Sequence, residues 1–114
     1  MAHPVVHFEV VGSDGARLQQ FYGELFGWKI NADNPMNYGI VDNAGEGING
    51  GVGQTPDGSR QVTWYVQVES IDDYLKKAEK MGGKTVMPRT EMDMVTMAML
   101  ADPEGNVVGL VEGQ

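Results

Sequence analysis

The sequence repeats its pattern at a fixed interval of 56 residues, and this repeat limits the folds that are open to the chain. Gly27 and Gly83 each follow a helical pattern and stand 56 positions apart. The same interval relates further pairs of similar character: Phe8 and Trp64, Val10 and Val66, Leu18 and Tyr74, Leu25 and Met81, and Ile30 and Val86. It also relates His7 to Thr63. One structural module is therefore predicted to occur twice.

The first copy begins with a strand and a helix. Residues 4–11 are rich in valine and end at a glycine, which is typical of a strand. Ser13 is predicted to cap the helix that follows, and Gly27 to end it in the left-handed conformation that glycine tolerates. The helix carries an apolar stripe expected to pack on the apolar face of the strand: Leu18, Phe21, Tyr22, Leu25 and Phe26.

The second copy has the same order, and each helix is followed by three short strands. A second helix is predicted from Ser70, which opens a capping-box pattern with Asp73. The remaining strands are predicted at 28–31, 37–42, 47–53, 61–68, 84–87, 95–101 and 106–112. The predicted fold is therefore α+β, with two βαβββ modules in tandem whose curved mixed sheets surround a cleft, and with the helices on the outer faces. Module one spans 3–53, the connector 54–60 and module two 61–112, all in one domain of 114 residues.

Strand alternation selects the side chains that should line this cleft. Val6, Phe8 and Val10 point to one side of the first strand, so His7 and Glu9 point to the other. The same parity in module two assigns four further residues to the lining: Thr63, Tyr65, Gln67 and Gly109. This polar set is suited to holding a ligand, so these six residues are the predicted ligand-binding site.

Composition excludes several classes of function. The net charge of −8 disfavours binding to phosphate backbones or anionic membrane surfaces, so neither a nucleic-acid nor a membrane partner is expected. The absence of cysteine excludes disulfides and thiolate ligands. No basic segment followed by a long apolar run opens the chain, so a cytoplasmic location is expected.

Two segments carry a resemblance to a known family. Phe21-Tyr22-x-x-x-Phe26-Gly27-Trp28 ends the first helix, and Asp102-Pro103-Glu104-Gly105 forms a turn before the last strand. Together with the doubled βαβββ pattern, they resemble the vicinal oxygen chelate superfamily, in particular its glyoxalase-like and bleomycin-resistance-like members. The resemblance covers roughly residues 4–112 and implies the predicted fold.

The resemblance also implies where a metal ion would be held. Metal-binding members take ligands from the first and last strands of each module, and these positions fall on His7, Thr63, Gly109 and a residue near Asn49 or Gly50. Threonine is a poor ligand for a divalent ion and glycine has no side chain, so a metal is disfavoured and no cofactor is expected. His7 and Glu9 remain as candidates for a site with non-standard ligands.

Three functions stay open at this point. The first is a homodimeric protein that binds a small organic molecule in the cleft without the metal of the family. The second is a metal-dependent lyase, isomerase or dioxygenase that uses His7. The third is a regulatory or dimerisation module. The sequence does not decide whether the protein is an enzyme, and if it is one, the resemblance implies a glyoxalase-like lyase or a dioxygenase.

Overall fold

The computed structural model describes residues 2–113, which form two compact units. The first unit comprises residues 7–63, and the second comprises the described residues 2–6 and 64–113. Each unit contains one α-helix and four strands in the order βαβββ, except that residues 5–6 and 61–63, which begin the first strand of each copy, are grouped with the other unit. The predicted α+β class and the doubled order are thus confirmed.

The first unit is built from β1 (Val5–Gly12), α1 (Gly15–Phe26), β2 (Lys29–Asn31), β3 (Gly39–Asp42) and β4 (Gly50–Gln54). Its strands lie in the order β2-β3-β4-β1. Strands β1 and β4 are parallel, with Glu9 opposite Gly51, whereas β2–β3 and β3–β4 are antiparallel. The sheet is therefore mixed, as predicted.

The start of α1 differs from the prediction. Asp14, and not Ser13, is the N-cap, and its carboxylate accepts a hydrogen bond from the Arg17 backbone N–H at 3.1 Å. The first helical residue, Gly15, lies close to β4, since a Cβ atom added there would lie 3.0 Å from Gln54 N. The C-terminal prediction is confirmed, since Gly27 has a left-handed φ of 70°.

The apolar stripe of α1 is less buried than predicted. Phe21, Leu25 and Phe26 each leave more than half of their surface exposed. The rings pack mainly against one another: Tyr22 lies at right angles to Phe21 with the centroids 5.1 Å apart, and Phe26 lies 5.2 Å from Trp28. Each ring is covered on the side that faces the cluster and is exposed on the other side. These residues therefore do not form the buried core that helical periodicity indicated.

The second unit is built on β5 (Gln61–Val68), α2 (Ile71–Lys80), β6 (Lys84–Glu91), β7 (Thr96–Ala101) and β8 (Val107–Glu112). Its strands follow the order β5-β8-β7-β6. Strand β6 extends past the predicted end at residue 87 and includes Pro88. It can do so because β6 is the last strand in this order and its register shifts on both sides of Met87, which accommodates a residue without a backbone N–H.

Helix α2 carries the core of the second unit. Ile71 and Leu75 are buried with apolar residues of three strands, Val68, Ala98 and Leu110. The predicted cap is confirmed, because the Ser70 hydroxyl accepts a hydrogen bond from the Asp73 N–H at 3.3 Å. Gly82, and not Gly83, takes the left-handed conformation after the helix, with φ 99°. Within residues 2–113, neither helix combines the length and the apolar character required to cross a membrane.

Candidate functional site

A hydrogen-bonded group of three side chains lies on one face of the first-unit sheet. The Tyr38 hydroxyl donates to Glu9 Oε2 at 2.8 Å, and the same oxygen lies 2.9 Å from His7 Nε2. A hydroxyl has a single hydrogen, so the hydrogen of the second bond belongs to the imidazole, and Nε2–H donates to Tyr38. In neutral His7 the ring lone pair is then on Nδ1. We call His7, Glu9 and Tyr38 the polar triad.

Strand β1 places His7 and Glu9 on the face opposite α1. Phe8 stands between them, and its ring lies 5.2 Å from that of Trp28, which in turn stacks on Tyr22 of α1 at 5.9 Å. Because successive side chains alternate across a strand, His7 and Glu9 project from the other side. The parity argument from the sequence therefore agrees with the geometry within this unit.

The loop between β2 and β3 positions Tyr38. The Asn34 side chain binds both backbone groups of Tyr38: its Oδ1 accepts from Tyr38 N at 2.9 Å, and its Nδ2 donates to Tyr38 O at 2.7 Å. Asn37 precedes Tyr38 and has a left-handed φ of 53°, which asparagine tolerates better than most residues. The backbone at Tyr38 is thus fixed just before β3 begins.

Two glycines of β4 leave the space that the Tyr38 ring occupies. A Cβ atom added at Gly51 would overlap the Tyr38 ring and hydroxyl, and one added at Gly53 would lie 2.9 Å from Tyr38 Cδ1. Both glycines are on the face of Glu9, because Glu9 pairs with Gly51 and Val11 with Gly53. We call Gly51 and Gly53 the glycine floor. The glycine-rich strand is therefore explained by a ring that lies against its backbone.

Burial controls the charge of His7. Desolvation lowers the pKa of the imidazole from its usual 6.5, and the nearby Glu9 carboxylate opposes this effect without cancelling it. The imidazole is consequently neutral at neutral pH. The triad presents a carboxylate acceptor, a hydroxyl and a neutral imidazole within one hydrogen-bonded group.

The other predicted site residues lie in separate parts of the chain. Thr63 is a buried residue of the first unit, whereas Tyr65, Gln67 and Gly109 belong to the second. Within the second unit, Tyr65 pairs with Gly109, and a Cβ atom added there would overlap the Tyr65 ring. Gln67 extends toward Gly113 and would lie 3.1 Å from a Cβ atom at that position. The cleft predicted to unite all six residues stays a prediction.

The side chains at the implied metal positions do not fit a divalent ion. By register, Gly51 in β4 corresponds to Gly109 in β8, because Glu9 and its repeat partner Tyr65 pair with these two glycines. The set then contains one imidazole, one threonine hydroxyl and two glycines, too few good donors for a closed site. Tyrosine rings lie over both glycines. Among residues 2–113, no group of three or more His, Cys, Asp or Glu side chains is arranged to hold a metal ion.

Tyr38 is the member of the candidate site that was not predicted from the sequence. Strand β3 was predicted to begin at residue 37, and extended alternation puts Tyr38 on the same face as Ile40, which pairs with Gly51. Two glycines alternating along the neighbouring strand signal room for a large ring on that face. The pairing of β3 with β4 was required to connect the two observations.

Comparison with known structures agrees with this architecture. A glyoxalase/bleomycin resistance protein/dioxygenase superfamily member from Vibrio splendidus 12B01 matches with a TM-score of 0.69 and 15% identity, over 98% of this chain and 100% of that one. Methylmalonyl-CoA epimerase from Mycobacterium tuberculosis matches with a TM-score of 0.66 and 14% identity, over 96% and 87% of the two chains. At such identities the similarity concerns the fold alone. A search of curated proteins finds no match.

A family model gives the assignment that structural similarity cannot. The model of the glyoxalase-like domain matches residues 7–111, which include nearly all of both βαβββ copies and the whole polar triad. The resemblance drawn from the sequence motifs is thereby confirmed. The chain belongs to the glyoxalase-like domain family of the vicinal oxygen chelate superfamily.

Proposed function

We propose that this protein binds a small organic molecule at the polar triad, on the face of the first-unit sheet opposite α1, without a metal ion. The observation that carries the proposal is the Tyr38 hydroxyl, which contacts both His7 and Glu9 at hydrogen-bonding distance. Convergent polar groups beside an apolar or backbone surface are typical of small-molecule sites. Here that surface is supplied by the half-exposed Tyr38 ring, which covers the glycine floor, and by the exposed Ile40 side chain.

The chemistry of the triad favours a neutral ligand with a hydroxyl or another hydrogen-bond donor. Glu9 is an acceptor, and neutral His7 and Tyr38 can each donate and accept. An anionic ligand would meet the Glu9 carboxylate and the overall charge of −8, and both oppose its approach. Metal-free binding is supported by the poor donor set at His7, Thr63, Gly51 and Gly109.

Native mass spectrometry of the full chain, purified without added metal, tests the proposal directly. We expect a bound organic molecule, or one acquired from a compound library, that is lost in His7→Gln and Glu9→Gln. Gln20→Ala is the matched control, because Gln20 is an exposed residue of α1 whose side chain donates to Glu24 at 3.0 Å, on the face opposite the triad's strand surface. Stoichiometric metal in the purified protein, or a large thermal stabilisation by Ni²⁺, Zn²⁺ or Fe²⁺, would contradict metal-free binding.

Proton transfer is a second candidate function at the same site. The lowered pKa of His7 keeps its imidazole neutral, so the ring can accept a proton at neutral pH. Because Nε2–H is donated to Tyr38, the accepting atom would be Nδ1. Exchange of carbon-bound hydrogen of the bound molecule in D₂O, followed by NMR and abolished in His7→Gln, would support this function. Equal exchange in the variant would contradict it.

A homodimer in the cytoplasm completes the proposal. The homodimer rests on the resemblance to the family. The same native spectra report the number of subunits, and fluorescence microscopy of the tagged full chain reports its location. A monomer at micromolar concentration would contradict the first of these expectations.

A further inference from the structure

We propose that the slot above Gly51 and Gly53 recognises a phenolic ring, and that Tyr38 fills this slot as an internal substitute which a free phenol displaces. The inference rests on the proposed function, because it names the ligand class of the same site. Its starting point is that the protein already holds one phenol there, with the ring over the glycine floor and the hydroxyl between His7 and Glu9.

The hydroxyl end of the slot is built for a group that donates and accepts through one oxygen. Glu9 Oε2 takes the hydroxyl hydrogen at 2.8 Å, and His7 Nε2–H donates to the same oxygen at 2.9 Å. A carboxylate ligand lacks the hydrogen that Glu9 requires and would repel it. An ether or a methyl group has no hydrogen to donate to Glu9, so it forfeits the charge-assisted bond that a hydroxyl makes there.

The ring end of the slot is built for a flat group. Neither residue of the glycine floor has a side chain, and each would collide with Tyr38 if it had one. An aliphatic alcohol could satisfy Glu9 and His7, yet it would leave the floor largely uncovered and forfeit the contact area of a ring. A phenol satisfies both requirements, because its hydroxyl bonds Glu9 and His7 while its ring covers the glycine floor.

Tyr38 can leave the slot without unfolding its strand. Asn34 binds the backbone N–H and C=O of Tyr38, so the main chain stays in place while the side chain rotates about χ1 to another staggered position. Tyr38 is half-exposed, and its floor side meets backbone atoms rather than interlocking side chains. Because the side chain is tethered, it competes with free ligand at high effective concentration.

The competition gives a quantitative expectation. The apparent dissociation constant of a free phenol equals its intrinsic value divided by the fraction of molecules whose slot is open. If Tyr38 occupies the slot in nine molecules of ten or more, its removal should tighten binding at least about tenfold. Loss of its hydroxyl alone weakens the internal competitor, so Tyr38→Phe should bind with an affinity between those of wild type and Tyr38→Ala.

Binding of p-cresol, the free equivalent of the tyrosine side chain, to the full chain tests the inference by titration calorimetry and by thermal shift. We expect affinity to increase from wild type to Tyr38→Phe to Tyr38→Ala, and p-cresol to bind Tyr38→Ala more tightly than toluene or 4-methylanisole. Equal p-cresol affinity in wild type and both variants would overturn it. So would equal affinity of Tyr38→Ala for p-cresol and toluene.

The design separates this inference from the proposed function. If Tyr38→Ala does not fold, the p-cresol affinities of Tyr38→Phe and wild type are compared instead, because Tyr38→Phe keeps the ring. Equal affinities of these two proteins would then overturn the inference. If p-cresol affinity does not change while wild type still carries a His7-dependent organic molecule, the phenol assignment fails and the proposed function stands. If wild type binds no molecule but Tyr38→Phe and Tyr38→Ala gain p-cresol affinity in the expected order, the slot is real and the proposed function fails.

Discussion

Tyr38 occupies the space that a side chain at Gly51 would need. The two residues come from neighbouring elements of the first unit, and the hydroxyl of the ring continues to Glu9, the strand partner of Gly51. Gly51 therefore leaves room that the polar triad requires. The second unit has a similar pair, Tyr65 over Gly109, so in each unit a tyrosine ring covers a glycine of the last strand.

Gly51→Ala should destabilise the protein and disconnect Tyr38 from Glu9. The added methyl group overlaps the ring, and a forced fit of this kind typically costs about 1–3 kcal/mol in the free energy of unfolding. Denaturant titration measures this cost. Gly23→Ala is the control, because the new Cβ atom would lie 3.6 Å from its nearest neighbour and alanine favours the helix by roughly 1 kcal/mol. Wild-type stability in Gly51→Ala would show that Tyr38 does not need the glycine floor.

The stability of the protein should rise with pH near the ordinary pKa of histidine. The pKa of His7 is lowered on folding from 6.5, so between the two values the unfolded chain binds more protons, and stability increases as pH rises through this window. Below this window the imidazole is protonated in the folded protein as well, and the stabilisation gained with rising pH is absent. Denaturant titrations between pH 5 and 8 on wild type and His7→Gln measure it, and the slope should be smaller in the variant. An NMR titration that places the pKa of His7 at or above 6.5 would contradict the expectation.

Gly109→Ala should destabilise the second unit through the buried Tyr65 ring. The predicted cost is again about 1–3 kcal/mol, because the methyl group overlaps the ring. A double-mutant cycle with Tyr65→Val isolates this contact, since the smaller side chain leaves room for the methyl group. We expect the two substitutions to be coupled by more than about 0.5 kcal/mol in denaturant titrations. If the effects of the two substitutions on the free energy of unfolding were additive, overlap with the Tyr65 ring would not be the cause of the destabilisation.

Glu112→Ala should lower the melting temperature more than Glu91→Ala. Glu112 Oε2 accepts from the Ile71 N–H at the start of α2 at 3.0 Å, and both Glu112 oxygens accept from Arg89 at 2.9 and 3.0 Å. The Glu91 carboxylate accepts from Arg89 at 3.1 Å, at an exposed position. The hydrogen bonds from Arg89, and after them the bond from Ile71, lower the pKa of Glu112 from its usual 4.5. The ionised Glu112 therefore stabilises the folded protein above pH 4.5, and this stabilisation is lost as the pH falls. Thermal scans at pH 7 and pH 4 should show the difference between variants shrinking at the lower pH.

Local pattern was sufficient to predict the order of the elements. Strand β5 was predicted at residues 61–68, where the structure has it, because alternating apolar residues are bounded by turn residues on both sides. The caps Ser70 and Gly27 were predicted for the same reason, since a cap depends on residues within one helical turn. Local pattern failed for Pro88, where pairing with β7 continues a strand that the proline was expected to end.

The candidate site could be predicted only in part. Alternation along β1 was enough to place His7 and Glu9 on one face, and the connection was missed because their partner Tyr38 lies in a loop 29 residues beyond Glu9. The burial of α1 was overestimated, because helical periodicity identifies an apolar stripe without identifying what covers it. Phe26 illustrates this, since it belongs to the stripe and is more than half exposed.

The sequence by itself determined the doubled βαβββ order, the family and the face on which His7 stands, because periodicity, caps and motifs depend on residues close together in the chain. The tertiary structure alone decided that Tyr38 completes the triad and that Gly51 is the counterpart of Gly109. The constant interval of 56 would have selected Gly53 instead. Strand register and the space above a backbone depend on which strands pair, and that pairing joins residues that no local pattern relates.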